Sequence, residues 1–171
     1  MNIVHTTARN LASWNRWDEL ASALARETGF DDIGSRNDAT RLRQAYHDGV
    51  AVLGVDDASD APVGFVAAWD AGAGTYEIGS AWVHKEYRQM GHGSRLTASL
   101  LQLPRLREVT LFAISQTPDF WRVARRVSLR QHTDWHSPAS WEATCGPCTK
   151  IADDAKHGCP LRDSACRLFL R

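Results

Sequence analysis

"EIGSAWVHKEYRQMGHGSRL", residues 77 to 96, changes its periodicity halfway along, and the change decides how the rest of the chain is read. Up to Val83 the pattern suits a strand that begins near Thr75, since "TYEIGSAWV" alternates. From Ser94 the apolar positions Leu96, Leu100, Leu101 and Leu103 fall at helical spacing, and Pro104 closes the run. Between them stand two glycines around a histidine, fenced by Arg88 and Arg95.

A glycine-rich turn that opens a helix can do two things. Without side chains the backbone lets a ligand approach, and the helix start offers unsatisfied N–H groups and the positive end of its dipole to an anion. The plainer alternative is that Gly91 and Gly93 only permit the turn. Spacing removes the commonest phosphate loops, because neither G-x-G-x-x-G nor G-x-x-x-x-G-K-[ST] is present. The pattern that is present reads R-x-x-G-x-G, from Arg88 to Gly93.

Outward from this stretch the order of elements is legible. "VTLFAI" (109 to 114) is a fully apolar strand, so residues 75 to 114 make a strand, helix, strand unit that places its two strands parallel and adjacent. Upstream, "VAVLGV" (50 to 55) and "VGFVAAW" (63 to 69) flank the turn-rich "DDASDAP", which predicts an antiparallel meander running into the strand at 75. Two helices precede it: residues 13 to 28, with Trp14, Trp17, Leu20, Ala21, Leu24 and Ala25 on one face, and residues 38 to 49, with Asp38 as cap and Gly49 as stop. "PDFWRVARRVSL" (118 to 129) reads as a helix with Pro118 in its first turn. Beyond it, residues 132 to 144 read as extended, the cysteine segment as an irregular loop, and "CRLFLR" as a final strand. The whole is one α/β domain with a mixed sheet.

The motif, the strand before it, the helix after it and the element order together resemble the GNAT N-acetyltransferases, whose acetyl-CoA loop is [QR]-x-x-G-x-[GA]. The resemblance covers about residues 1 to 130. It implies an α/β (α+β) acyl-CoA transferase fold: a mixed, mostly antiparallel sheet, flanking helices and a central parallel strand pair that splays to admit pantetheine. It implies one domain over residues 1–171, with the cysteine segment, about 144–166, inserted before the last strand. Trp82, Val83, Arg88, Gln89, Met90, Gly91, His92, Gly93 and Ser94 are then the acetyl-CoA contacts, with backbone N–H groups from Gln89 to Ser94 on the pyrophosphate. Glu77, eleven residues before Arg88, stands where several members place a catalytic glutamate. The family's tyrosine acid falls on Ala124, so the usual thiolate proton donor is missing; Ser115, at a strand end, is a catalytic candidate as a bond to the sulfur or to a water. No cysteine lies in the cleft strands, which favours direct attack of an amine on the thioester in a ternary complex.

Composition narrows the partners. Twenty basic and 20 acidic residues give a formal net charge of zero, which disfavours a polyanion partner. Arg122, Arg126 and Arg130 recur every four residues, with Arg125 beside them; this stripe reads as a solvated face, a contact for the CoA 3′-phosphate, or a grip on an acidic or nucleic-acid acceptor. The competing functions are therefore a nucleic-acid or tRNA modifier on the same fold, and a CoA-binding module without turnover. The first residues lack a basic stretch followed by an apolar run, and no 18-residue apolar run occurs, so a cytoplasmic protein with no membrane partner is expected. The acceptor, a small-molecule or peptide amine, and the oligomeric state, with a homodimer among the options, are not readable.

Two residue types leave open questions. Of seven tryptophans, Trp14, Trp17, Trp69 and Trp82 fall on core faces, whereas Trp121, Trp135 and Trp141 lie where related folds flank the acceptor cleft. Cys145, Cys148, Cys159 and Cys166 follow C-x2-C-x10-C-x6-C, whose first half is the usual two-sulfur knuckle of structural zinc, with His157 as an alternative ligand to Cys166. Plain thiols or disulfides are a second reading, and "CGPC" as a redox dithiol a third, though it lacks the strand-to-helix setting that such a pair needs.

Overall fold

The computed structural model describes residues 3–5, 13–28, 38–133, 148, 159, 161 and 165–171. These form, in chain order, β1 (Ile3–His5), α1 (Trp17–Thr28), α2 (Ala39–His47), β2 (Ala51–Asp56), β3 (Pro62–Asp70), β4 (Thr75–Val83), α3 (His92–Leu101), β5 (Thr110–Ser115), α4 (Pro118–Arg126), β6 (Arg130–His132) and β7 (Arg167–Leu170). The strands make a mixed sheet in the order β1-β2-β3-β4-β5-β7-β6. Every neighbouring pair is antiparallel except β4 and β5, the parallel pair that the α3 crossover connects. The α/β class and the parallel central pair expected from the sequence are both present.

That pair separates almost at once. Its ladder has three rungs, Thr75 to Thr110, Tyr76 to Leu111 and Glu77 to Phe112, although β4 runs on to Val83 and β5 to Ser115. On its other edge β4 stays bonded to β3, but the register slips by one residue: Ala67 faces Gly79 while Phe65 faces Trp82. The extra residue is a bulge in β4, and Ser80 carries it with φ of 50°. Because side chains alternate along a strand, one inserted residue reverses the sequence parity. Glu77, Gly79 and Trp82 therefore share one face of the sheet, and Val83 lies on the other.

The helices sort by those faces. Trp82 reaches α1, where its Nε1 donates to Glu27 Oε2 at 3.3 Å. On the opposite face α3 packs over β2, β3 and β4 through Leu96, Leu100 and Leu101, all buried. Burying each leucine is worth roughly 1.5–3 kcal/mol, whereas a helix cap supplies about 1 kcal/mol, so the apolar stripe docks α3 even though its Gly91 N-cap makes no side-chain bond. At α2 the expected cap is present, with Asp38 Oδ1 accepting from the Arg41 N–H at 3.0 Å.

Three expectations need correction. The first helix starts at Trp17 rather than near Ser13, with Trp14 buried just ahead of it. The helix expected over 118 to 129 stops at Arg126. There Ser128 turns left-handed, with φ of 64°, the Leu129 N–H donates to Ala124 O at 3.0 Å and the Ser128 N–H to Arg125 O at 3.4 Å. This is a Schellman stop built on serine instead of glycine, with buried apolar residues, Ala124 and Leu129, at the two positions that it brings together. Arg130 consequently lies on β6, so the arginine stripe does not continue along one helix face. The short edge strands β1 and β6 carry no signal strong enough to be read from sequence.

Candidate active site

The site is assembled where β4 leaves β5. Glu77 occupies the last rung of the parallel ladder, 3% exposed, between Trp69 on β3 and Phe112 on β5. Past it, among the described residues, β4 is paired along one edge only, up to Val83. A strand edge left in this state holds main-chain donors and acceptors that an extended ligand can bond.

The loop follows directly. Lys85–Tyr87 forms a single 3-10 turn, Gln89 and Gly91 adopt left-handed φ of 65° and 83°, and α3 begins at His92. No side chain caps α3, so its first-turn N–H groups have no partner inside the helix. In the same turn the Ser94 hydroxyl is buried with no hydrogen-bond partner. A Cβ on Gly91 would meet nothing within 4 Å, while one on Gly93 would stand 3.4 Å from Val123 Cγ2 and 3.7 Å from Val83 Cγ2. Open backbone, uncapped N–H groups and an orphaned hydroxyl are what a pyrophosphate would satisfy, so the residues present fit the acetyl-CoA expected from the motif. Met90 projects from the loop, 61% exposed.

The side chains of the motif have structural partners. Arg88 Nε donates to Val83 O at 2.9 Å, and Nη2 meets Glu27 Oε2 at 2.5 Å, so the guanidinium fastens the loop to β4 and α1. The Tyr87 hydroxyl donates to Asp56 Oδ2 at 2.9 Å, and Asp56 Oδ1 accepts from the N–H groups of Ala58 and Ser59 and from the Ser59 hydroxyl. The Tyr87 hydrogen bond, followed by the two backbone bonds, holds the Asp56 carboxyl below its ordinary range, and the same bond, with burial, raises the Tyr87 phenol. Burial, aided by Arg95, lowers the His92 imidazole, favouring its neutral form in the first turn of α3. Trp82, His84, Tyr87 and His92 form a chain of edge-to-face rings with centroids 6.0, 5.9 and 6.3 Å apart. Glu27 and Asp56, both anchors of the loop, were missed in the sequence reading because their partners lie tens of residues away.

Ser115 closes β5. Its Oγ accepts from the Thr117 N–H at 3.0 Å and its carbonyl from Trp121 Nε1 at 2.9 Å, which leaves its own hydrogen as a donor. Ala124 is fully buried. Arg122 pairs with Asp119, and Arg125 and Arg126 are exposed. Arg167 stacks over Trp121 at 3.8 Å. Trp135, Trp141, His157 and Cys145 lie outside the described residues. Cys148 and Cys159 are half-buried thiols, and Cys166 accepts from Gln116 Nε2 at 3.0 Å. Among the described residues no group of three or more His, Cys, Asp and Glu is placed to hold a metal ion, and no helix is long and apolar enough to cross a membrane.

The fold, the splayed pair and the loop are those of an acyltransferase scaffold. The acetyltransferase (GNAT) family profile matches residues 14–122, more than half of the chain, and the protein belongs to that family. Solved structures agree on the fold. A GNAT-family acetyltransferase from Staphylococcus aureus is 13% identical, with a TM-score of 0.60 over 99% of this chain and 97% of that one. Diaminobutyrate acetyltransferase from Paenibacillus lautus, solved with L-2,4-diaminobutyric acid and coenzyme A, is 15% identical with a TM-score of 0.60, covering 99% of this chain and 93% of the other. N-acetylglutamate synthase from Neisseria gonorrhoeae, solved with coenzyme A and N-acetyl-glutamate, is 17% identical with a TM-score of 0.58; all of this chain aligns, but it spans 35% of that protein. No curated protein gave a significant match.

Proposed function

We propose that the protein is an acetyl-CoA-dependent N-acetyltransferase that delivers the acetyl group to a primary amine by direct attack in a ternary complex, within a single domain that carries residues 144–166 as an insertion. The observation that carries this reading is the early end of the β4–β5 ladder at Glu77, which leaves a strand edge running straight into a loop and a helix start whose Ser94 hydroxyl is buried and unbonded. Membership of the family and the coenzyme A held by two similar structures support it.

The roles follow from position. Backbone N–H groups of Gln89 to Ser94 and the Ser94 hydroxyl receive the pyrophosphate. Main-chain groups of Trp82 and Val83, on the open edge of β4, bond the pantetheine and hold the thioester in line. An amine must be neutral to attack, and Glu77, buried beside the split, takes its proton directly or through water. Burial keeps the carboxylate from being hydrated as it would be in solution. The departing thiolate leaves unprotonated or takes a proton from water, with the Ser115 hydroxyl donating a hydrogen bond to the sulfur or to that water, since Ala124 offers none.

Thiol release from acetyl-CoA, followed across a panel of primary amines, tests the reading. Stabilisation by acetyl-CoA but not by NAD or ATP, together with amine-dependent thiol release, is the expected result. Stabilisation without release from any amine would leave a CoA-binding module, and no stabilisation would overturn the assignment of the loop. Glu77→Gln is expected to lower kcat by roughly 10²–10⁴-fold with CoA binding intact; unchanged turnover would remove Glu77 as base.

A further inference from the structure

We propose that the Trp69 indole N–H binds an oxygen of the acceptor, and that the acceptor is accordingly a small amine bearing a carboxylate or carbonyl a few bonds from its reacting nitrogen. This rests on the acyl-transfer reading of the same site. Trp69 sits directly opposite Glu77 across the β3–β4 ladder, on the same face of the sheet. Its indole lies along Gly79, two residues past Glu77: a Cβ at Gly79 would come within 3.1 Å of Trp69 Cδ1 and 3.3 Å of Nε1. A side chain at residue 79 would press on the ring, which as it stands lies beside Gly79, past the rung at Glu77 where the β4–β5 ladder ends.

That N–H has no partner. Trp69 Nε1 is buried and makes no hydrogen bond. Elsewhere Trp14 donates to Asp60 O, Trp17 to Trp14 O, Trp82 to Glu27 and Trp121 to Ser115 O, so among the described tryptophans Trp69 is the exception. An indole N–H can only donate, and leaving it buried and unbonded is unfavourable until an oxygen reaches it. Directly opposed residues hold their Cβ atoms about 5 Å apart. A molecule whose amine meets the Glu77 carboxylate and whose oxygen meets Trp69 thus has the two groups separated by only a few bonds, as in an α-amino acid or its amide. A plain alkylamine offers the indole no second polar group, and the protonated far end of a diamine can only donate.

Matched acceptors test this: L-leucine, L-leucinamide and 3-methylbutylamine, with equivalent sets for other side chains, assayed by kcat/KM. At least one oxygen-bearing member is expected to exceed its decarboxylated partner by tenfold or more; preference for the acid over the amide identifies an amino acid, and the reverse a peptide-like amine. Trp69→Phe is expected to erase the preference mainly through KM, leaving acetyl-CoA stabilisation unchanged. Equal losses for all three acceptors would mark Trp69 as packing only and overturn the proposal, as would a wild type without preference. Should no acceptor turn over, the indole resonance of Trp69, assigned by its disappearance in Trp69→Phe, gives a readout independent of chemistry. Movement of that peak with leucine or leucinamide, but not 3-methylbutylamine, would support the subsite while acyl transfer failed; no movement with any of them would sink the subsite.

Discussion

Tyr87 donates its phenolic hydrogen to Oδ2 of Asp56 at 2.9 Å across 31 residues of chain, tying the turn before the α3 loop to the end of β2. Asp56 is 2% exposed, and its other oxygen is committed to the β2–β3 turn. The loop is therefore braced from the far side of the meander. Tyr87→Phe keeps the ring and its contacts with His84 and His92 but removes the brace. The expected outcome is a severalfold weaker Kd for CoA, measured by calorimetry, with kcat at saturating acetyl-CoA little changed. A fall in kcat with Kd preserved would contradict the bracing role.

The same pair sets a pH signature. Asp56 titrates below its unfolded range, so its contribution is present above that range and disappears as pH falls through the folded value. His92, also lowered, favours the folded state above the ordinary histidine range and ceases to do so as acid protonates it. Tyr87 is raised, so stability drops once pH climbs beyond the ordinary phenol range towards its folded value. Melting temperature should accordingly decline on both flanks. In Tyr87→Phe the acid decline below the aspartate range should shrink, because the largest cause of the Asp56 shift is gone.

The two loop glycines are not equivalent. Gly91 has φ of 83° with free space around it, so alanine there is strained by its backbone alone, at about 1–3 kcal/mol. Gly93 has no such φ, and its alanine would rest in ordinary contact with Val83 and close contact with Val123. Gly91→Ala should therefore lower stability and CoA affinity clearly more than Gly93→Ala in paired melting and titration experiments. This agrees with a family pattern that fixes glycine at the first position and accepts alanine at the second.

Gly64 is constrained by packing. A Cβ there would stand 2.5 Å from Leu96 Cδ1 and 3.3 Å from Trp82 O, between β3, α3 and the split strand. Gly64→Ala should cost about 1–3 kcal/mol, as overpacking does in other cores, read as a lowered denaturation midpoint. An unchanged midpoint would mean that Leu96 shifts freely.

The legible part of the fold was what local chemistry writes into local sequence. The R-x-x-G-x-G loop, the Asp38 cap and the alternation of β4 each depend on residues a few positions apart, and each was found. The Ser128 stop was not, because left-handed serine looks like any other serine. Glu77 was chosen from its distance to Arg88, but Trp69 was read only as a core residue: nothing in "VAAWD" says that its nitrogen lacks a partner. That fact arises from Gly79 on the next strand and from where a third strand ends. The bonds of Glu27 to Arg88 and of Asp56 to Tyr87 were hidden for the same reason.

The one extra residue at the Ser80 bulge sets which sequence parity faces α1 in the second half of β4. Deleting one codon between Gly79 and Trp82 would remove the bulge yet keep Trp82 opposite Phe65, two positions past Gly79 and facing Glu27, whereas straightening the strand with every residue kept would turn the indole away. Straightening without the deletion would also carry Val83 to the α1 side, away from Gly93. The odd spacing from Gly79 to Trp82 is thus compatible with one shared face only while the bulge persists.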